Sequence, residues 1–365
     1  MICIVTCTHP PDDERIFFKQ IKTLLKAEYF IYYYTFWDTN IDLSEENLVH
    51  INCNPKMMSK SKFIQLVLDF LLSKNNIKSL HIHEFDLLSL IKKIKVRSSI
   101  KTIYDVHEAH LEMWDVFSSR NYLFKRIINY FLWQNEKSKL KYVDQIITVT
   151  NILVKRYNAI HKKVIYLPNY PILIKQKIKK IKSKNIIYHG QLSDERGILN
   201  LLEAFSIINK KEKLVKLYLA GAPKNKEFLK KIEQFIIKNK MESNVLILGL
   251  IKHEEMIEML HNCMVGIIPF KDNKFTRMGL PVKLFEFMMT KCAVVTVDFP
   301  LIKSHIGDSC LYFKSGDIKD LSNKIYQIIS NNNLCNSLVN SAFDLVYKKY
   351  NWEKIESDLI DFYKQ

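Results

Sequence analysis

Glycine is scarce and unevenly placed. The 365 residues hold eight, and none precedes Gly190. A loop that lets a phosphate approach the backbone usually needs glycine, so a nucleotide-binding turn is expected in the second half of this chain. Long apolar runs are missing as well: no stretch reaches the ~18–20 residues of a membrane span. The seven cysteines are odd in number, scattered, and never spaced Cys-x-x-Cys. That argues against a disulfide framework and a zinc site, and for reduced thiols in a cytoplasm. The opening Met1-Ile2-Cys3-Ile4-Val5-Thr6 has no basic leader and reads as a strand, not a signal peptide. Acidic residues are the minority charge, 38 against 55 Lys and Arg, for a net +17. Such an excess fits nucleic acid, an anionic membrane surface, phosphorylated substrates, or a plain Lys-rich surface. No RNA-binding aromatic signature, zinc-finger spacing or helix-turn-helix stands out, so no nucleic-acid partner is expected.

What is present is an alternation of strands and helices. Residues 2–7, 29–36, 79–83, 102–108, 145–149 and 164–167 read as strands. Helices are expected over 15–27 and 61–74, and a long amphipathic region over 112–141. Residues 170–184, Lys-rich with a proline, read as an interdomain linker. The pattern then restarts with strands at 185–188, 217–220, 245–248, 265–268 and 293–297. Helices are expected at 198–210, 321–331, 336–349 and 352–364, the last with Asn351 as its N-cap. This alternation implies doubly wound parallel sheets, which carry their sites at the C-terminal ends of the strands.

The stretch Pro281-Val282-Lys283-Leu284-Phe285-Glu286-Phe287-Met288-Met289 is the most informative. Pro281 suits the first position of a helix. Val282, Phe285 and Met289 share one face, and Leu284, Phe287 and Met288 cover much of the rest, so the helix is expected to be buried. Glu286 sits in its middle. An ionised carboxylate there costs several kcal/mol unless something polar meets it. Ligand hydroxyls could do so, or the protein's own backbone or an arginine. Lys283, three residues away, cannot fill every acceptor site. Residues 275–280 before the helix read as a flexible, cationic loop feeding a helix N-terminus, a place where anions bind.

The order and spacing of several short pieces resemble the family 4 retaining glycosyltransferases nearly end to end. The pieces are His9-Pro10-Pro11-Asp12-Asp13-Glu14-Arg15-Ile16-Phe17, Tyr104-Asp105-Val106-His107-Glu108, Tyr188-His189-Gly190-Gln191-Leu192, Arg196-Gly197, Pro281 to Met288, and Tyr350-Asn351-Trp352-Glu353. The resemblance implies an α/β GT-B fold, two Rossmann-like doubly wound domains facing across a cleft. Residues 1–170 would be the acceptor-binding domain, 171–184 the linker and 185–345 the nucleotide-sugar domain. Residues 346–365 would be a helix returning to the first domain. The implied enzyme is a hexosyltransferase-type glycosyltransferase. It would move a hexose or N-acetylhexosamine from a UDP- or GDP-linked sugar to an oligosaccharide or polyprenyl-linked acceptor, in surface polysaccharide or glycolipid synthesis. Configuration would be retained. The acceptor hydroxyl attacks the anomeric carbon on the face the phosphate leaves, and a phosphate oxygen takes the proton. No cofactor or metal is expected, because cationic side chains and helix N-termini take over the diphosphate's charge.

Carried over residue by residue, the catalytic candidates are His107, Arg196 and Glu286. Gly190, Gln191, Arg196, Gly279, Pro281, Lys283, Leu284 and Glu286 are expected around the donor. His9, Asp13 and His83 are expected on the acceptor side, with His81 a weaker candidate. His107 could instead be a core histidine bonded to Asp105 or Glu108. Met278 stands where the family often has a second glutamate, eight residues before Glu286. Of two cations common in the family's first donor loop, one is Gln191 here and the other is Arg196. Arginine suits a diphosphate through bidentate bonding, and a cation near a helix N-terminus opposes the macrodipole unless an anion sits there. Arg15 is expected to pair locally, and the histidines are expected to form no metal set with acidic partners.

Two other readings remain open at this stage: a sugar-nucleotide epimerase or hydrolase on the same fold, and a non-catalytic basic membrane-binding protein. Region 113–142 interleaves aromatics with Arg120, Lys125, Arg126, Lys137, Lys139 and Lys141, and Lys92, Lys93, Lys95, Arg97 and Lys101 add a second basic cluster. These imply a cytoplasmic protein peripheral on the inner face of the plasma membrane, unless the aromatics pack inside.

Overall fold

The computed structural model describes residues 1–118, 120–174 and 183–364. Most of the expected linker, 171–184, therefore lies outside the described residues. The chain divides into two units, Met1–Asn169 together with the chain from Trp352 onward, and Tyr170–Asn351.

The first unit is built on β1 (Ile2–Thr6), β2 (Ile31–Phe36), β3 (Leu48–Cys53), β4 (Ser79–Ile82), β5 (Lys101–Val106), β6 (Gln145–Thr148) and β7 (Val164–Tyr166). All pairings are parallel, in the order β3-β2-β1-β4-β5-β6-β7. Every residue of β1 is buried, as expected for a parallel strand covered on both faces. The helices are α1 (Lys22–Lys26), α2 (Lys60–Ser73), α3 (Leu88–Lys95), α4 (His110–Phe117), α5 (Tyr122–Leu140) and α6 (Asn151–Asn158). A π-helical segment, Glu14–Ile21, precedes α1. The single amphipathic region expected over 112–141 is thus two helices. Asn121 starts the second by accepting a hydrogen bond from the Phe124 N–H.

The second unit repeats the plan with β8 (Ser183–His189), β9 (Leu217–Ala220), β10 (Val245–Gly249), β11 (Cys263–Ile268), β12 (Ala293–Val297) and β13 (Leu311–Phe313), ordered β10-β9-β8-β11-β12-β13. Its helices are α7 (Ile198–Lys211), α8 (Lys226–Lys238), α9 (His253–Asn262), α10 (Lys274–Met278), α11 (Val282–Met289), α12 (Pro300–Ile306), α13 (Ile318–Ser330) and α14 (Asn332–Lys348). Residues Leu284 to Met289 of α11 are all buried, as its apolar circumference requires. Pro281 is the residue just before the helix. The loop expected over 275–280 is in part the short α10, closed by a reciprocal cap in which Asn273 and Thr276 bond each other's backbone. Arg277 is taken by Asp272.

After α14 the Asn351 amide donates to the carbonyls of Val346 and Tyr347. A 3-10 turn, Trp352–Lys354, and α15 (Glu356–Lys364) then complete the first unit. Trp352, Leu359 and Phe362 join its core with Ile4, Phe17 and Leu24, and Trp352 Nε1 donates to Thr23 Oγ1 at 2.9 Å. No helix among the described residues is long and apolar enough to cross a membrane.

In each sheet the winding reverses once, between β1 and β4 and between β8 and β11. The crevice beyond the strand ends at such a reversal is where doubly wound sheets take ligands.

Candidate functional site

In the first unit the reversal is lined by histidines. His9 follows β1, His83 ends β4 and His107 follows β5. His9, His83, Glu84, His107, Glu108 and His110 are among the residues lining a cavity of about 240 Å³ there. His107 is bonded to neither Asp105 nor Glu108. Its Nε2 shares a hydrogen bond of 2.9 Å with His9 Nε2, while Asp105 lies 3.8 Å from its Nδ1. His9 Nδ1 in turn bonds Asp13 Oδ2 at 3.2 Å. Burial lowers the His9 pKa, but the Asp13 carboxylate outweighs it and the net shift is upward. Burial carries His107 downward against the pull of Asp105. The two shifts have opposite signs, so a proton shared between the rings favours His9 over His107.

Asp13, expected to orient an acceptor hydroxyl, is already engaged. Its Oδ1 accepts the N–H groups of Arg15 and Ile16, both at 2.9 Å, and so caps the π-helical segment. Burial works upward on this carboxyl, yet His9 and the Ile16 N–H bring its pKa to about 2. Asp13 thus acts by holding His9. Arg15 does not pair locally either. Its Nε and Nη2 donate to Asp105, 90 residues away, at 3.1 and 2.9 Å, with both side chains buried. Gln20 Nε2 adds a further bond to Asp105 at 2.6 Å.

The expectation that the histidines form no metal set with acidic partners bears on one place among the described residues. His81, His83 and Asp105 offer ligand atoms within 4.8 Å of one another, because β4 and β5 are parallel neighbours with His81 opposite Ile103. The Arg15 guanidinium on Asp105 opposes a cation there. His81 Nδ1 instead bonds the Tyr363 hydroxyl at 2.7 Å, and neither ring nitrogen of His83 has a hydrogen-bond partner.

Two groups escaped the sequence reading. Glu84 follows His83 and accepts from Thr6 Oγ1, the Cys7 and Thr8 N–H groups and Thr8 Oγ1, which ties the β1 and β4 ends together. Glu136 is fully buried on α5. It accepts from the Tyr157 hydroxyl at 2.6 Å and the Tyr104 hydroxyl at 3.3 Å, with His110 Nε2 at 3.2 Å from its other oxygen. A lone carboxylate inside an aromatic, amphipathic stretch was the available signal for it.

This buried cluster sets an acid limit on the first unit. Burial pushes His81 down to about 4, against the pull of Asp105, and carries His83 and His107 the same way. Between pH 6.5 and 4 the unfolded chain binds protons that the folded unit refuses, so stability falls as pH falls. His81 alone accounts for roughly 3 kcal/mol across that window. Asp105, whose pKa is raised by burial but lowered overall by Arg15, extends the loss below it. His9 has the opposite sign, its contribution being lost as pH rises past its raised pKa. All four tryptophans, Trp37, Trp114, Trp133 and Trp352, belong to this unit. Their fluorescence in urea should therefore show a midpoint that falls steadily from pH 7 to pH 4. A flat profile would contradict the assignment.

In the second unit β8 ends at His189, and Gly190 follows with φ +109°. A Cβ at Gly190 would stand 2.5 Å from Lys283 Nζ, so only glycine lets the α11 lysine reach the strand end, where it donates to the His189 carbonyl. Gly197, φ +75°, precedes α7, and a Cβ there would strike the Pro269 carbonyl beyond β11. Between them lies Arg196. The acids beside it are taken, Asp194 by Lys271 and Glu195 by Lys224. Its guanidinium rests over the rings of Phe270 and Phe275, 4.8 and 5.4 Å from their centres. Burial and Arg196 hold the Lys283 ammonium well below its ordinary pKa, against the pull of Glu286. Arg196 at the start of α7 and Lys283 at the β8 end thus oppose one another, and the α7 N-terminus is itself positive.

Glu286 is met by histidine on both of its oxygens. His189 Nε2 lies 3.2 Å from its Oε2 and His253 Nδ1 3.8 Å from its Oε1. Burial, then Lys283, keep His189 neutral. His189 and His253 were both missed, although His189 lies inside a motif the sequence analysis used. Gln191 and Gly279 are exposed, and Pro281 is half-buried. Leu284 is fully buried, so its side chain is core and offers no donor contact.

The glycosyl transferases group 1 family model matches residues 171–344. The capsular polysaccharide biosynthesis glycosyltransferase CapM of Staphylococcus aureus is 24% identical over 200 residues, covering 53% of this chain and 50% of CapM. The chain thus matches about half the length of that relative. Among solved structures, sucrose-phosphate synthase from Thermosynechococcus elongatus is similar with a TM-score of 0.77 and 15% identity, covering 100% of this chain and 98% of the other. Anabaena HepE in complex with UDP is similar with a TM-score of 0.76 and 11% identity, covering 100% and 99%. These likenesses show the fold, the two-domain α/β GT-B fold.

Proposed function

We propose, for a chain whose residues 171–344 belong to the glycosyl transferases group 1, a retaining glycosyltransferase of surface polysaccharide or glycolipid synthesis. It takes a hexose or N-acetylhexosamine from a UDP- or GDP-linked sugar. It delivers that sugar to an oligosaccharide or polyprenyl-linked acceptor at the inner face of the membrane. The observation that carries this reading is the β8 end: Arg196, half-buried Lys283 and the bare backbone at Gly190 gathered beside the buried carboxylate of Glu286. The cations and the α7 N-terminus suit a diphosphate, and Glu286 suits sugar or ribose hydroxyls. UDP, held by the similar HepE structure, is the first nucleotide to try.

In this mechanism the protein supplies position and electrostatics. The diphosphate leaves toward Arg196 and Lys283, and an acceptor hydroxyl attacks from the same face. Its proton passes to a leaving phosphate oxygen, with no metal required. His107 contacts the donor sugar near the reacting carbon, with its Nε2 turned to His9 and its pKa held down by burial.

A panel of UDP-, GDP- and ADP-sugars, read by thermal shift and by transfer to a glycan acceptor, tests the function. One nucleotide sugar should stabilise the protein, and the sugar should appear on the acceptor. Conversion of the sugar nucleotide with no acceptor present would instead establish an epimerase or hydrolase. Within the same assay His107→Ala should lower turnover and leave nucleotide affinity nearly unchanged. The reverse pattern would remove His107 from the reacting centre.

A further inference from the structure

Helix α5 is poorly covered. Of its 19 residues only Glu136 and Leu140, near its C-terminal end, are buried. Tyr122, Leu123, Phe124, Ile127, Tyr130 and Phe131 are 43–71% exposed. Leu123, Ile127, Tyr130 and Phe131 follow the i, i+4, i+7, i+8 spacing of one helical stripe. Helix α4 beside it buries none of its residues. The aromatics of this segment are therefore not core, the alternative left open by the sequence.

Charge says what covers them. From residue 116 to residue 135 there is no Asp or Glu, while Arg120, Lys125 and Arg126 are present. The Arg120 and Arg126 guanidinium groups lie over the rings of Phe124 and Tyr122, 5.7 and 5.8 Å from their centres, which places positive charge along the rim of the apolar stripe. Lys125 Nζ donates to the Asp115 carbonyl at 2.7 Å and braces α4 against α5. Helix α3, which packs on α5, adds exposed Lys92 and Lys93, with exposed Arg97 just beyond it. Lys95 is spent on Asp144. An apolar ridge with a cationic rim and no carboxylate between residues 116 and 135 matches a surface that is greasy below and anionic above.

We propose that the N-terminal half of α5 is the edge by which the first unit lies on an anionic lipid surface, Tyr122, Leu123, Phe124 and Phe131 entering the headgroup boundary and Arg120 and Arg126 meeting lipid phosphates. The proposal rests, for its purpose, on the lipid-linked acceptor reading, and its test is kept apart from catalysis. The full chain is sedimented with neutral phosphatidylcholine vesicles and with vesicles containing phosphatidylglycerol, at low and high salt. Binding should need the anionic lipid and weaken as salt rises. Arg120→Glu/Arg126→Glu should weaken it on the order of twenty-five-fold, since each cation near the leaflet is worth roughly fivefold. Tyr122→Ser/Phe124→Ser/Phe131→Ser should also release the protein, and both variants should keep wild-type fluorescence and wild-type turnover on a soluble glycan. Equal binding to neutral vesicles, or none at low salt, overturns the proposal. So does a dimer in solution that either variant dissociates, which would make the ridge a contact between copies. Salt-sensitive vesicle binding by a chain that transfers no sugar would uphold the surface and sink the function.

Discussion

Replacement of Glu286 by glutamine should lower sugar transfer by roughly 10²–10³, the usual size for one electrostatic contact at a reacting centre. Glutamine keeps the size of the side chain and removes its charge. That charge is not cancelled by His189, which burial and Lys283 keep neutral. Arg196→Ala should lose a similar factor through weaker stabilisation of the departing diphosphate. It should leave the unfolding transition nearly unchanged, because the guanidinium rests on two rings and its neighbouring acids are held by lysines. Steady-state transfer by both variants is the measurement. If both run near the wild-type rate, the donor does not sit where the β8 end places it.

The second large effect is on folding. Asp105→Asn should destabilise the first unit by about 3–5 kcal/mol, the usual result of stranding one partner of a buried ion pair. Arg15 is 2% exposed, and it would be left as a buried cation facing a neutral amide. Gln20 and the surrounding histidines would lose the same anchor. Tryptophan fluorescence in urea reports this unit alone, so the loss should appear as a large drop in midpoint. A drop of a few tenths of a kcal/mol would mean that the pair is dispensable and that the histidines take their positions from packing.

Much of the fold was legible because buried parallel strands are continuous apolar runs. β1, β9 and β12 stand out for that reason, and α11 does so through its apolar circumference. β3 did not. It pairs only with β2 at the sheet edge, is half-exposed along most of its length, and alternates apolar residues with His50 and Asn52. β13, three residues at the opposite kind of edge, is too short to show a period. The surface helices α8 and α9 were also passed over, though each has a clear apolar stripe. Within the candidate sites, residue types were legible just past the strand ends, as His83 and His107 show, although His189 at the end of β8 was passed over. Partners were not. Arg15 finds Asp105 across 90 residues, His81 finds Tyr363 across 282, and neither pairing leaves a local pattern. Asp13 was read as a ligand group because the sequence does not announce that one of its oxygens caps a helix and the other holds His9.

The last helix carries a consequence for the order in which the protein comes to exist. The first unit is closed by Trp352, Leu359 and Phe362, whose partners Ile4, Phe17 and Leu24 precede the whole second unit in the chain. All of Tyr170–Asn351 must leave the ribosome in between, on the order of ten seconds or more at the usual ~5–20 residues per second. Through that interval the nascent first unit keeps an open apolar seam along the π-helical segment and α1. The second unit has every strand and helix it needs in one contiguous stretch. Although it is translated later, it can close its core without waiting for α15.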